Sequence, residues 1–137
     1  MSNIPGIASS EVLTAPRVKN PLLRATPSPV FDDCIVPANT TIAAYTPVTI
    51  AADKTVAVAV SGTPADGILW PAVVTNLGET KGAAVLRHGT VDIYALNFDA
   101  SYDSDDKKLA AFIGASAPTV IFAERGSEPV AAPAFGD

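Results

Sequence analysis

The residues best equipped for chemistry lie in Ala84-Val85-Leu86-Arg87-His88-Gly89-Thr90-Val91-Asp92-Ile93-Tyr94. This stretch holds the single histidine of a 137-residue chain, with an arginine and an aspartate close by. A nucleophilic triad needs a hydroxyl or thiol and a carboxylate that converge on the imidazole. Serines and threonines are plentiful, yet none sits in a Gly-x-Ser-x-Gly elbow. On a straight strand His88 and Asp92 would stand roughly 13 Å apart. A histidine-based metal site would need further ligands, and there is no second histidine. The expectation is a structural strand with a bend or bulge at Gly89.

A second candidate is the acidic run Asp99, Asp103, Asp105 and Asp106. Asp99, Ser101, Asp103 and Asp105 place oxygens at alternate positions, as a calcium loop does. Ser104 stands where such a loop needs glycine, and Ala110 where it needs a bidentate glutamate. A helix start explains the same acids, because carboxylates favour the first turn. Cys34 follows Asp32 and Asp33, whose charge disfavours a thiolate, so it reads as inert. Asn39-Thr40-Thr41 matches a glycosylation sequon, but no secretory leader accompanies it. Thr80-Lys81-Gly82 lacks the glycine pattern of a phosphate loop. The expectation is therefore no catalytic residue, no cofactor and no metal.

The elements that position these residues follow from composition. The chain is 48% hydrophobic but only 7% aromatic, with twelve prolines and nine glycines. That suits one small domain with a core of Val, Ile and Leu, and argues against a helical bundle. A net charge of −5 argues against direct nucleic-acid binding, which wants a basic patch. No stretch of 18 uninterrupted apolar residues predicts a membrane span. One cysteine fits a reducing compartment.

Three regions emerge. Residues 1–40 hold six of the twelve prolines and most of the early basic charge, Arg17, Lys19 and Arg24. They read as an extended arm with apolar anchors. Its segments least obstructed by proline, Val12-Leu13-Thr14 and Thr40-Thr41-Ile42, are the candidates for strand addition to a partner. Residues 41–123 form the body. Strands are predicted at 47–50, at 55–60 with Val56, Val58 and Val60 facing the core, and at 67–74 with a break at Pro71. Further strands are predicted at 83–87, 90–96 and 118–123. A helix of about ten residues should start at Asp103 or Ser104 and end at Gly114, with Leu109, Phe112 and Ile113 on one face. Residues 124–137 read as a loose tail. The fold class is mixed α/β and predominantly β: a small barrel-like body, one short helix and an extended N-terminal arm. Trp70, the only tryptophan, fits either the core or an interface.

The order of the body segments carries a resemblance. Thr46-Pro47-Val48-Thr49 opens a strand pair. Thr63-Pro64-Ala65-Asp66-Gly67-Ile68-Leu69 runs from a polar turn into Gly-Ile-Leu. Val85-Leu86-Arg87-His88-Gly89-Thr90-Val91 sets a glycine between two strand halves. Lys107-Lys108-Leu109-Ala110-Ala111-Phe112-Ile113-Gly114 precedes the closing strand. The series resembles the lambda-type head decoration proteins of tailed bacteriophages, over roughly residues 42–122. Two departures stand out. Trp70-Pro71 follows Gly-Ile-Leu where relatives carry smaller residues, and the extension beyond Phe122 is longer.

The resemblance implies a virion protein without enzymatic activity. Its members are made in the host cytoplasm and placed on the outer surface of the expanded head. They form homotrimers there and clamp neighbouring major capsid protein subunits against the pressure of packaged DNA. The arm is loose in the free protein and pairs with a strand of the major capsid protein. In this chain Ile68, Leu69, Trp70 and Pro71 become candidates for the trimer or capsid interface. Two other readings compete. A β-rich surface adhesion or carbohydrate-binding module would need an exposed aromatic platform, for which Trp70 and Tyr94 are the candidates. A small hydrolase would need a pocket around His88.

Overall fold

A computed structural model describes residues 20–24 and 26–126 of the chain. The described part is predominantly β, with nine strands and one short helix. The strands are β1 (Leu22–Arg24), β2 (Val30–Val36), β3 (Thr41–Ile42), β4 (Thr46–Ile50), β5 (Val56–Val58), β6 (Gly67–Leu69), β7 (Val73–Val74), β8 (Lys81–Asp92) and β9 (Val120–Glu124). Helix α1 spans Asp105–Leu109, and a 3-10 turn spans Ile93–Ala95.

β8 organises the molecule. Seven strands form one sheet, running β1-β8-β6-β4-β5, with β2 and β9 also on β8. β3 and β7 form a separate two-stranded sheet. Every pairing is antiparallel except β8 with β9. That parallel pair requires a crossover, and the 3-10 turn and α1 supply it. The sheets are open in their pairing. A single bridge between Ile35 and Thr55 brings the far edge back towards β2, which is as near as the sheet comes to the expected barrel.

Two cores flank the central strands. Ile68 and Leu86 belong to a cluster with Val91, Tyr102, Phe112 and Ile121. Their chain neighbours Leu69 and Val85 belong to a second cluster with Cys34, Val36, Val48 and Val56. Alternate side chains of a strand point to opposite faces. β6 and the middle of β8 are therefore buried on both faces, as their unbroken apolar runs require. The strands approach closely there. A Cβ at Gly67 would lie 2.5 Å from Val85 Cγ1 and 2.8 Å from the Leu86 carbonyl oxygen.

Several expectations need correction. The body does not begin at residue 41: β1 and β2 are strands of the main sheet, and Cys34 and Val36 are buried in it. Residues 1–19, including Val12, Leu13 and Thr14, lie outside the described residues, as does the tail from 127 on. The 55–60 strand is only Val56–Val58, and Val58 and Val60 are exposed. The alternation breaks after Val58: the Ala59 N–H still donates to the Pro47 carbonyl of β4 at 3.0 Å, and Ala59 rather than Val60 turns inward. The strands expected at 83–87 and 90–96 are one strand, which ends at Asp92 because that carboxylate caps the 3-10 turn. The helix is half the expected length. Ser104 caps it, and the chain continues beyond Leu109 as turns to Gly114. Phe112 is buried while Ile113 faces solvent. The break at Pro71 is present and passes the chain from the main sheet to β7.

Candidate functional site

Arg87 and His88 sit where β8 changes partners. Phe31 lies opposite Leu86 and Val30 opposite His88, so the pairing with β2 skips Arg87. One extra residue makes a bulge and reverses the facing of the strand. Leu86 before it and Val91 after it both point into the first cluster. Beyond it, β1 and β9 take the two edges of β8. The bend expected at Gly89 thus centres two residues earlier.

The buried Arg87 guanidinium donates from Nε to Thr119 Oγ1 at 3.0 Å and from NH1 to Asp32 Oδ2 at 3.1 Å. Lys54 Nζ reaches both Asp32 oxygens at 2.8 Å. The Lys54 hydrogen bond is the main reason that the Asp32 carboxyl is held below its ordinary range, against a smaller opposing effect of burial. The Thr119 hydroxyl donates to the Asp66 carbonyl at 2.6 Å. His88 Nε2 donates to the Pro118 carbonyl at 2.7 Å. Arg87 and His88 together pin residues 118–119, the entry to β9.

Asp92 is fully buried and serves the backbone. Its Oδ1 accepts from the Tyr94 N–H at 2.9 Å and from the Gly126 N–H at 3.0 Å. Its own N–H donates to the Pro21 carbonyl at 2.9 Å. The first and last described segments therefore meet at one corner. His88 and Asp92 are engaged with different partners and do not converge into a triad.

The acidic run is divided in the same way. Hydrogen bonds from Ser101 hold the Asp99 carboxyl below its ordinary range. Asp103 pairs with Lys107 at 2.8 Å. The Tyr94 hydroxyl donates to Asp105 Oδ2 at 2.8 Å, and Arg125 faces Asp105 and Asp106. Among the described residues no group of three or more His, Cys, Asp or Glu is placed to hold a metal ion. Cys34 is buried, and burial, reinforced by the Asp32 charge, pushes its thiol up and away from nucleophilic use.

The interface candidates separate. Ile68 and Leu69 are fully buried between the two cores and present nothing to a partner, because β6 is covered on both faces. Pro71 is exposed. Trp70 is half-buried on the rim of the first cluster, edge-on to Tyr45 at 4.9 Å and Phe31 at 5.4 Å. Trp70 and Tyr94 are held by separate partners and form no shared platform. Thr41 and Ile42 pair with Val74 and Val73 of β7, and the Thr40 N–H donates to Thr75 Oγ1. Their strand pairing is made within the chain.

Sequence reasoning missed the bare apolar tips. Leu77 is 86% exposed and Ile113 is 73% exposed. A leucine between Asn76 and Gly78, in a segment otherwise built for a turn, was the readable signal for the first.

Residues 13–119 match the family model described as bacteriophage lambda head decoration protein D. No curated protein matches the chain.

Proposed function

The chain belongs to the bacteriophage lambda head decoration protein D family, and from that premise we propose that it binds the outside of the expanded phage head as a homotrimer and clamps neighbouring major capsid protein subunits against internal DNA pressure. Membership makes it a head decoration protein of the virion capsid, consistent with a structural, capsid-stabilising role. The observation that carries the finer reading is the span of the match. It runs from within the expected arm through β1 to β8 and α1 to the entry of β9.

The chemistry of the body supports it. The side chains that could react are spent on geometry: Arg87 and His88 fix β9, Asp92 joins the first and last described segments, and Ser104 starts α1. A rigid body of this kind stabilises a shell by contacts, and many weak contacts repeated over a lattice add through multivalency. Residues 1–19 remain for the arm, with Val12, Leu13 and Thr14 adding as a strand to the major capsid protein.

The test is binding to expanded, decoration-free heads. The full-length chain should bind saturably, in multiples of three copies, and raise the temperature at which heads rupture. Leu13→Pro removes a backbone donor from the arm and should weaken head binding roughly tenfold or more while leaving the thermal melt of the free protein unchanged. A wild-type chain that ignores such heads overturns the proposal.

A further inference from the structure

The two most exposed large apolar side chains of the described residues belong to complementary shapes. Leu77 stands at the apex of a braced turn. The Glu79 N–H donates to the Asn76 carbonyl at 3.1 Å, and the Asn76 N–H donates back to Glu79 Oε1 at 2.9 Å. The Asn39 N–H donates to that same Asn76 carbonyl at 3.0 Å. Gly78 takes φ +78, which a side chain would resist. Leu77 is thus a preorganised apolar knob with a carboxylate two residues away.

Ile113 stands on the wall of an open pocket of about 310 Å³. Pro64, Ala110 and Ala111 give it apolar surface, and Lys107 supplies a cation. Tyr102 also lines it, and its hydroxyl is buried with no hydrogen-bond partner. The pocket has room for a leucyl side chain. Among the described residues Lys107 pairs with Asp103, just ahead of the helix, and its side chain is half exposed, so a second carboxylate can approach.

We infer that the 76–79 turn of one copy seats in this pocket of the next copy, with Leu77 against Ile113 and Pro64 and with Glu79 beside Lys107. The inference rests on the trimer reading and names its contact. Knob and socket are different patches, so the interface is heterologous, and such interfaces close into rings when the rotation permits. They also lie over different cores. The turn follows β7, whose Val73 belongs to the second cluster, while Tyr102 and Ala111 of the socket belong to the first. One subunit therefore presents knob and socket on separate flanks. The contact covers apolar surface that an isolated copy leaves bare.

The experiment is sedimentation equilibrium of the full-length chain. Wild type should be trimeric. Leu77→Asp and Ile113→Asp should each raise the dissociation constant roughly tenfold or more, the range of interface anchors, with unchanged circular dichroism and melting. Both positions face solvent, so folding should be untouched. Glu79→Gln keeps the Oε1 acceptor that braces the turn and removes its charge. It and Lys107→Gln should each weaken the trimer, and the double variant should cost no more than the larger of the two. Trimers insensitive to Leu77→Asp, or charge removals whose costs simply add, overturn this contact and leave the trimer reading standing. Wild-type chain that stays monomeric at every concentration, free and on heads, removes the trimer reading and this contact with it.

Discussion

The centre of the sheet and its two apolar tips use the same kinds of residue to opposite ends. Ile68 and Leu69 on β6 meet Leu86 and Val85 on β8, and all four are wholly buried. Leu77 and Ile113 are leucine and isoleucine too, yet nothing in the described chain covers them. The difference is in the backbone that carries them. β6 is three residues long, lies between β4 and β8, and has one cluster packed over each face. The tips sit on turns held by local hydrogen bonds, which keep an apolar side chain pointing outward whatever the hydrophobic effect prefers. Apolar surface held out at such a site contributes little to folding and is available for recognition.

The largest way to sharpen that contrast is Leu69→Ala. Removing a fully buried leucine between packed strands typically costs about 2–5 kcal/mol, which for a chain of this size lowers the melting temperature on the order of 10 °C. Thermal denaturation followed by circular dichroism measures it. Leu77→Ala in the same assay should move the melt by less than about 0.5 kcal/mol. Equal effects of the two would erase the distinction between core and tip.

How much of this was legible depended on whether local pattern or distant partners decided a residue's place. The apolar run Gly67-Ile68-Leu69 and the break at Pro71 are local, and both were readable. The helix start at Ser104 was readable because a cap acts within three residues. The placing of β2 was not. The proline spacing of residues 21–37 suggested an arm, whereas Val30–Val36 is held by β8, some fifty residues on. Ile68 and Leu69 misled as interface candidates because nothing local reveals that β6 has neighbours on both sides. Val58 and Val60 misled because alternation alone does not say where a strand stops. The Arg87–Asp32–Lys54 network joins three distant segments and leaves no periodic trace. The order of the segments carried the family resemblance, which the family match upholds.

That network gives the next test, intermediate in size, and it concerns how the centre is tied to its edge. Asp32 accepts from Arg87 on β8 and from Lys54 in the turn before β5. Its carboxyl is held below the ordinary value of 3.8 in the folded chain. A depressed folded value means that stabilisation is fully present above the unfolded value and fades as pH falls through the folded one. Wild type should therefore exceed Asp32→Asn in stability at pH 7, and the gap should close as pH is lowered below about 4. Urea denaturation at a series of pH values measures the gap. A gap that stays constant down to pH 2 would mean that Asp32 acts by shape rather than by charge. Arg87, nearly buried, should then tolerate Leu in place of its guanidinium with little loss.

A further test lies at the periphery and separates local order from global stability. Ser104 Oγ accepts the Lys107 N–H at 3.3 Å, a long bond at the start of a five-residue helix. Ser104→Ala should cost the helix itself about 0.5–1 kcal/mol, the lower part of the range for N-caps. α1 contributes no buried residue of its own, so the global melt should barely move. Amide exchange at Lys107 and Lys108 should rise instead, because the first turn frays without its cap. Lys107 also lines the socket proposed for Leu77, and loosening it should weaken subunit association more than it weakens folding. A loss of stability as large as that of Leu69→Ala would place α1 in the centre rather than at the edge, and the division between a packed core and outward-facing contact sites would have to be redrawn around it.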